Sequence, residues 1–212
     1  MKAQNHTETK IKICGLKRQE DILAVNEAKP DYCGFIIEFP RSFRSVTADQ
    51  VRNLVQELNS EIQPVGVFVN AQIDLVKELL NDGTLALAQL HGQEDTSYIR
   101  KIKESTGKQV IKAFSIKTAE DIEKALQSPA DYILLDQGGG GTGMPFDWSL
   151  IPEIQRPFFL AGGIGATNLK EAIREIHPYA VDLSSSVETE KWKDPMKIRQ
   201  VVDIVREIKI IN

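Results

Sequence analysis

Short apolar runs alternate with longer amphipathic runs along the chain, and this alternation constrains the fold more than any other feature. The apolar runs are rich in β-branched and aromatic residues, as strands buried on both faces should be. They span residues 11–16, 32–37, 64–69, 85–90, 109–114, 131–136, 157–161 and 180–184. The intervening runs have helical spacing and span residues 20–28, 48–58, 73–80, 96–104, 119–126, 148–154, 168–176 and 195–208. This order predicts a parallel sheet with helical crossovers.

Eight strand–helix units in 212 residues favour closure into a single-domain (β/α)8 barrel, the TIM-barrel architecture. An open, doubly wound parallel sheet is the competing architecture. No linker or low-complexity segment divides residues 11–212, which are therefore predicted to form one catalytic barrel domain. Residues 1–10 are polar, and we expect them to lie outside the fold as an N-terminal extension.

Composition excludes several classes of partner. The 26 basic residues are outnumbered by 30 acidic ones, which argues against a nucleic-acid surface. No apolar run approaches the ~18 residues that a membrane span needs, and the polar start is not a secretory signal. The two cysteines suit a reducing compartment, so a cytoplasmic location is expected. The three histidines lack the spacing of a metal site, so no metal is expected.

Two loops near the end of the chain suggest an anion site. In a barrel of this kind the functional residues follow the C-terminal ends of the strands, and phosphate is often held after strands 7 and 8. Residues 162–165 read GGIG and feed a helix, whereas residues 184–186 are all serine. Glycine lets the backbone approach an anion, and the free amides at a helix start point toward it. The predicted phosphate-binding residues are Gly162, Gly163, Ser184 and Ser185. A tight turn capped by Thr167 or Asn168 is the alternative.

Other chemically capable side chains also follow predicted strands. Cys14 ends strand 1 and suits either a nucleophile or base, or a small buried side chain. Asp136 ends strand 6 and suits either a general acid or a loop cap. Arg44, like Arg41, lies after strand 2, where it could recognise a carboxylate or phosphate or remain a solvated loop residue. His91, after strand 4, either lines a pocket or bonds to the backbone.

A glycine-rich loop at residues 138–146 follows strand 6. It satisfies the GxGxxG pattern literally, but no helix turn follows it and no acidic residue ends the next strand. It is therefore not read as a dinucleotide fingerprint. We expect a mobile loop that covers the barrel mouth when a ligand binds.

Taken in order, short motifs along the chain resemble the phosphoribosylanthranilate isomerase family of tryptophan biosynthesis. They are KICGL at 12–16, GF at 34–35, SFR at 42–44, GVFV at 66–69, QLHG at 89–92, LLD at 134–136, GGTG at 140–143 before FDW, LAGGI at 160–164, and VDLSS at 181–185 before VE. Each motif alone is moderately specific, whereas the ordered set is highly specific.

The resemblance implies a barrel enzyme, without metal or organic cofactor, that isomerises a phosphorylated small molecule by an Amadori rearrangement. By the resemblance, Cys14 is the general base, Asp136 the general acid and Arg44 the group that binds the anthranilate carboxylate. His91 and Asp182 are carried over as further pocket residues. We expect a monomer rather than a dimer.

Two positions depart from the family pattern, and two rival functions stay open. Ser186 stands where the family usually has glycine, and Lys17 stands where it commonly has threonine. A related barrel enzyme, indole-3-glycerol-phosphate synthase, would need catalytic lysines at strand ends, and strand 5 offers only Lys112. The other rival is a barrel that binds a phosphorylated ligand without turnover.

Overall fold

Eight parallel strands close into a barrel in the computed structural model, which describes residues 8–136 and 148–208. The strands are β1 (Lys10–Cys14), β2 (Tyr32–Ile37), β3 (Gln63–Phe68), β4 (Leu87–Leu90), β5 (Gln109–Ser115), β6 (Tyr132–Asp136), β7 (Phe158–Leu160) and β8 (Ala180–Leu183). Each strand pairs with the next along the chain, and β8 pairs with β1 to complete the circle. The predicted (β/α)8 barrel is confirmed, and the open sheet is excluded.

Seven α-helices lie within the described residues; six connect the strands, and the seventh follows β8. They are α1 (Gln19–Ala28), α2 (Ala48–Gln56), α3 (Ile73–Asn81), α4 (Thr96–Thr106), α5 (Ala119–Leu126), α6 (Leu169–Ile176) and α7 (Pro195–Glu207). Polar caps define several starts: the Thr47 hydroxyl accepts from the Gln50 amide before α2, and Asp194 caps α7. A short strand, Ser45–Val46, extends the sheet beside β2. A two-stranded hairpin of Glu188–Thr189 and Trp192–Lys193 follows β8.

The helix predicted over residues 148–154 is wrong. Only a single 3-10 turn, Trp148–Leu150, forms there. Ile151 precedes Pro152, and the proline ring disfavours helical backbone at the residue before it while offering no amide hydrogen. The described part of the chain therefore has no α-helix between β6 and β7.

The strands separate two apolar layers. On β1, Ile11 and Ile13 pack outward against the helices, so that Lys12 and Cys14 face the barrel interior. The interior below the strand ends is filled by a second apolar cluster with aromatic rings at its centre. Phe159 contacts the rings of Tyr32, Tyr132 and Tyr179 at centroid distances of 5.5, 5.6 and 5.8 Å. The opposite end of the interior is left for polar side chains.

The N-terminal segment and one loop bear on the predicted domain limits. The strand β1 begins one residue before the predicted run, and the Thr9 hydroxyl donates to the Pro178 carbonyl. Residues 1–7 and the whole loop 138–146 lie outside the described residues, so their predicted roles stay predictions. No helix within the described ranges has the length and apolar character needed to cross a membrane.

Candidate active site

A cavity of about 730 Å³ opens at the C-terminal ends of the barrel strands. All of the predicted site residues line it: Cys14, Arg44, His91, Asp136, Gly162, Gly163, Asp182, Ser184 and Ser185. They come from both ends of the sequence and from six different strand ends or following loops. The structure thus brings the candidates together, while their individual roles stay predictions.

Cys14 ends β1 on the floor of this cavity. Burial raises the pKa of its thiol, and the ammonium group of Lys12 opposes that shift. Gly34 stands opposite Cys14 on the neighbouring strand β2. A Cβ at Gly34 would lie 2.8 Å from the sulfur and 2.9 Å from Lys12 Nζ. The absence of a side chain at Gly34 therefore makes room for both groups.

A buried ion pair lies beside the thiol. Lys12 Nζ donates to both carboxylate oxygens of Asp182 at 2.9 and 3.1 Å, and the lysine side chain is fully buried. Although burial disfavours its charged form, Asp182 and Cys14 raise the pKa of Lys12. Lys12 was missed by the sequence reading. Its signal was a lysine inside an apolar strand, two residues from Cys14 and therefore on the same face.

Asp136 ends β6 across the cavity, next to His91. Asp136 Oδ2 lies 3.7 Å from His91 Nε2, which is longer than a hydrogen bond. Removal from water lowers the pKa of His91, so the ring is neutral at pH 7. Gln89 Nε2 lies 3.0 Å from His91 Nδ1 and holds the ring in place. Gln89 lines the same cavity and was also missed by the sequence reading.

In the circle of strands, β7 and β8 and the loops that follow them lie between β6, which carries Asp136, and β1, which carries Cys14. Gly162 and Gly163 have φ values of +81° and +67°, which side chains rarely adopt. The Asn168 side chain does not cap α6 but ties the turn together, accepting from Gly165 N and donating to Gly163 O. Ser185–Val187 forms a 3-10 turn whose first two serines are exposed to the cavity mouth.

Ser186, which departs from the family pattern, packs close to the glycine turn. A Cβ at Gly165 would lie 3.1 Å from the Ser186 Cβ. The glycine therefore lets the two loops approach, and the additional serine side chain is accommodated. The Ser184 hydroxyl donates to the Cys14 carbonyl at 3.0 Å, which joins this loop to the end of β1.

Arg44 lies on the rim above β1. Its Nε and Nη2 donate to Glu188 Oε1 and Oε2 at 2.6 and 2.7 Å. Lys193 Nζ donates to the same carboxylate at 2.7 Å. Neither Glu188 nor Lys193 was predicted as a site residue. Nothing local in the sequence points from Glu188 to Arg44, 144 positions away.

The fold and this polar cavity define the class of the protein: a (β/α)8-barrel enzyme with its active site at the C-terminal ends of the strands. Residues 11–204 match the family described as N-(5'phosphoribosyl)anthranilate (PRA) isomerase. The chain belongs to this family.

Individual relatives agree over nearly the whole length. An N-(5'-phosphoribosyl)anthranilate isomerase of Endomicrobium trichonymphae is 47% identical over 204 residues, which cover 94% of this chain and 99% of the relative. The crystal structure of the Thermotoga maritima isomerase superimposes with a TM-score of 0.84 at 34% identity, covering 94% of this chain and 100% of that one. A phosphoribosyl anthranilate isomerase in complex with reduced 1-(o-carboxyphenylamino)-1-deoxyribulose 5-phosphate has a TM-score of 0.82 at 33% identity, with 94% and 100% covered.

Proposed function

We propose that this chain isomerises N-(5'-phosphoribosyl)anthranilate to 1-(2-carboxyphenylamino)-1-deoxyribulose 5-phosphate by general acid–base catalysis, as a step of tryptophan biosynthesis. One observation carries the proposal: a thiol and a carboxyl line one cavity from β1 and β6, with the glycine and serine turns of β7 and β8 between them. Family membership supports the same reaction.

The two ends of the substrate are assigned to different parts of the rim. The turn at Gly162 and Gly163, together with Ser184 and Ser185, is proposed to hold the phosphate. Arg44 is proposed to hold the anthranilate carboxylate, because the guanidinium fork matches a carboxylate. Fixing both ends orients the ribose between them and lowers the entropic part of the barrier.

Asp136 is the proposed general acid. In its protonated form it transfers a proton to the furanose ring oxygen as the bond from that oxygen to C1 breaks. The lone pair of the anthranilate nitrogen forms a double bond to C1, so that the product of this step is a protonated Schiff base. His91, neutral and 3.7 Å from the carboxyl, is proposed to line the ribose site beside it.

Cys14 is the proposed general base. The Schiff base acidifies the C2 hydrogen, and the thiolate removes that proton while the C2–H electrons form the enolamine. Tautomerisation to the ketone then completes the reaction. Burial works against the thiolate, whereas the ammonium groups of Lys12 and Lys193 favour it. Asp182 keeps Lys12 charged beside the sulfur.

The direct test follows the fluorescence of freshly generated N-(5'-phosphoribosyl)anthranilate. Addition of the protein should accelerate the loss of fluorescence far above the uncatalysed rate. If the fluorescence decays only at the uncatalysed rate while the protein binds a phosphorylated ligand, the protein is a ligand-binding barrel without turnover. Arg44→Ala serves as an internal comparison, since it should retain the chemistry at high substrate concentration.

A monomeric state and a cytoplasmic location complete the proposal. Phe43 and Trp192 are among the large exposed apolar side chains, and Lys17 lies over both rings, which shields them with a charge. A Thermotoga maritima relative is described as a dimeric isomerase of which monomers have been generated. Sedimentation equilibrium at micromolar concentration distinguishes the two states. Both cysteines are free and buried, which suits a reducing cytoplasm.

A further inference from the structure

Glu188 occupies one complete edge of the Arg44 guanidinium group. The two hydrogen bonds run in parallel from Nε and Nη2, and the side chains are only 16% and 8% exposed for Arg44 and Glu188. Although burial favours the protonated acid, the hydrogen bonds from Arg44 and Lys193 hold the pKa of Glu188 below its ordinary value. Glu188 is therefore ionised at pH 7, and the pair is a charged, bidentate one.

Lys193 fixes Glu188 from the other side. Its side chain is 1% exposed, and its Nζ donates to Glu188 Oε1 at 2.7 Å and to the Ser184 carbonyl at 2.9 Å. The hairpin after β8 thus ties Glu188 to the loop that also carries the serine turn. Two cations share one carboxylate, so the positive charge of Arg44 is not cancelled.

Two further contacts confine the arginine. The Phe43 ring centroid lies 4.1 Å from Arg44 Cζ and covers one face of the guanidinium group. Gly15 lies under the aliphatic stem, where a Cβ would approach Arg44 Cδ to 2.5 Å. A guanidinium group has five N–H donors, and Glu188 uses two of them. The remaining donors include the whole Nη1/Nη2 edge, which has no hydrogen-bond partner among the residues that the structure describes.

We propose that Glu188, backed by Lys193, is a positioning residue that directs the remaining Nη1/Nη2 edge of Arg44 toward the carboxylate of the substrate. Glu188 does not touch the substrate; it acts by fixing the rotation of the guanidinium plane. The inference rests on the proposed function, because it needs Arg44 to be the group that binds the anthranilate carboxylate. It makes the hairpin after β8 a determinant of specificity for the aromatic half of the substrate.

The test compares Glu188→Gln and Glu188→Asp with the unchanged protein. Gln presents an amide N–H to an arginine N–H and breaks one of the two parallel bonds. Because the guanidinium edge is then no longer held toward the substrate carboxylate, KM should rise by about tenfold, equivalent to about 1.4 kcal/mol of binding free energy, while kcat changes little. Asp keeps the carboxylate and should restore part of the loss. Glu78→Gln on α3, which breaks an exposed ion pair with Arg52 on α2, is the matched control and should leave KM unchanged.

Binding measurements separate positioning from general damage. Glu188→Gln should raise the Kd of reduced 1-(o-carboxyphenylamino)-1-deoxyribulose 5-phosphate, which carries the carboxylate. It should leave the Kd of ribose 5-phosphate, which lacks the carboxylate, unchanged. In an Arg44→Ala background, Glu188→Gln should have no additional effect on KM. Equal weakening of both ligands, or a full additional loss in the Arg44→Ala background, would show that Glu188 does not act through Arg44.

The two proposals fail in different ways. If the unchanged protein does not turn over its substrate, the proposed function is wrong, and the binding comparison of the two ligands still tests Glu188. If the unchanged protein is active and Glu188→Gln has an unaltered KM, the positioning role alone is overturned.

Discussion

Gly34→Ala tests whether the space opposite Cys14 is needed for catalysis. The new Cβ would lie 2.8 Å from the sulfur, whereas an optimal carbon contact needs about 3.5 Å, so the thiol has to shift by roughly 0.7 Å. A misplacement approaching 1 Å costs about 10- to 100-fold in rate, and we expect kcat to fall by that factor. KM should change less than kcat, because the three atoms nearest to the new Cβ belong to Cys14 and Lys12 and not to the groups proposed to hold the carboxylate and the phosphate. Steady-state kinetics by the fluorescence assay give both constants.

The same substitution also overpacks the barrel, so its effect on stability needs a control. Overpacking costs about 1–3 kcal/mol, which for a domain of this size lowers Tm by about 2–12 °C. Gly66→Ala is the matched variant, because its Cβ would lie 2.7 Å from the Phe68 ring on the helix-facing side of the sheet. It should lose similar stability in calorimetry and keep its kcat. A Gly34→Ala protein with lowered Tm and undiminished kcat would refute the argument about the sulfur position.

Three further predictions concern the groups proposed to act on the substrate. Cys14→Ser and Asp136→Asn should each reduce kcat by about 100-fold or more, the usual scale for a positioned acid or base; a near-normal kcat in stopped assays would remove that residue from its role. Arg44→Ala should mainly raise KM, and an unchanged KM would assign the carboxylate to another group. Because burial raises the pKa of Cys14, the thiolate fraction grows with pH through the neutral and mildly alkaline range. In Asp136→Asn, where the proposed acid can no longer titrate, the residual kcat/KM should rise with it. A pH profile that falls over this range would contradict a thiolate base.

The barrel was predictable because its signal is local and repeated. Every strand of the circle is a short apolar run, and the alternation with amphipathic runs leaves few possible architectures. The helix predicted over residues 148–154 was wrong because the prediction gave more weight to the apolar spacing than to Pro152. Proline removes a helical hydrogen bond whatever the spacing of its neighbours, and the observed 3-10 turn ends before it.

The candidate site was predictable only in part, for a physical reason. Cys14, Asp136 and the glycine turn follow strands directly, so the barrel topology alone brings them together. Lys12 and Glu188 depend on partners about 140 to 170 positions away, at Asp182 and Arg44 respectively. Such pairs are created by the closure of the barrel. A local pattern can single out Lys12 as a lysine inside an apolar strand, but it cannot identify the partner of Lys12 or the pair between Arg44 and Glu188.

The aromatic layer beneath the cavity has a kinetic consequence. In the part of the chain that the structure describes, the packed rings of Tyr32, Tyr132, Phe159 and Tyr179 fill the barrel interior at the end opposite the cavity. Substrate and product therefore enter and leave through the cavity opening at the C-terminal ends of the strands, and binding of one excludes binding of the other. Inhibition by accumulated product should accordingly be purely competitive.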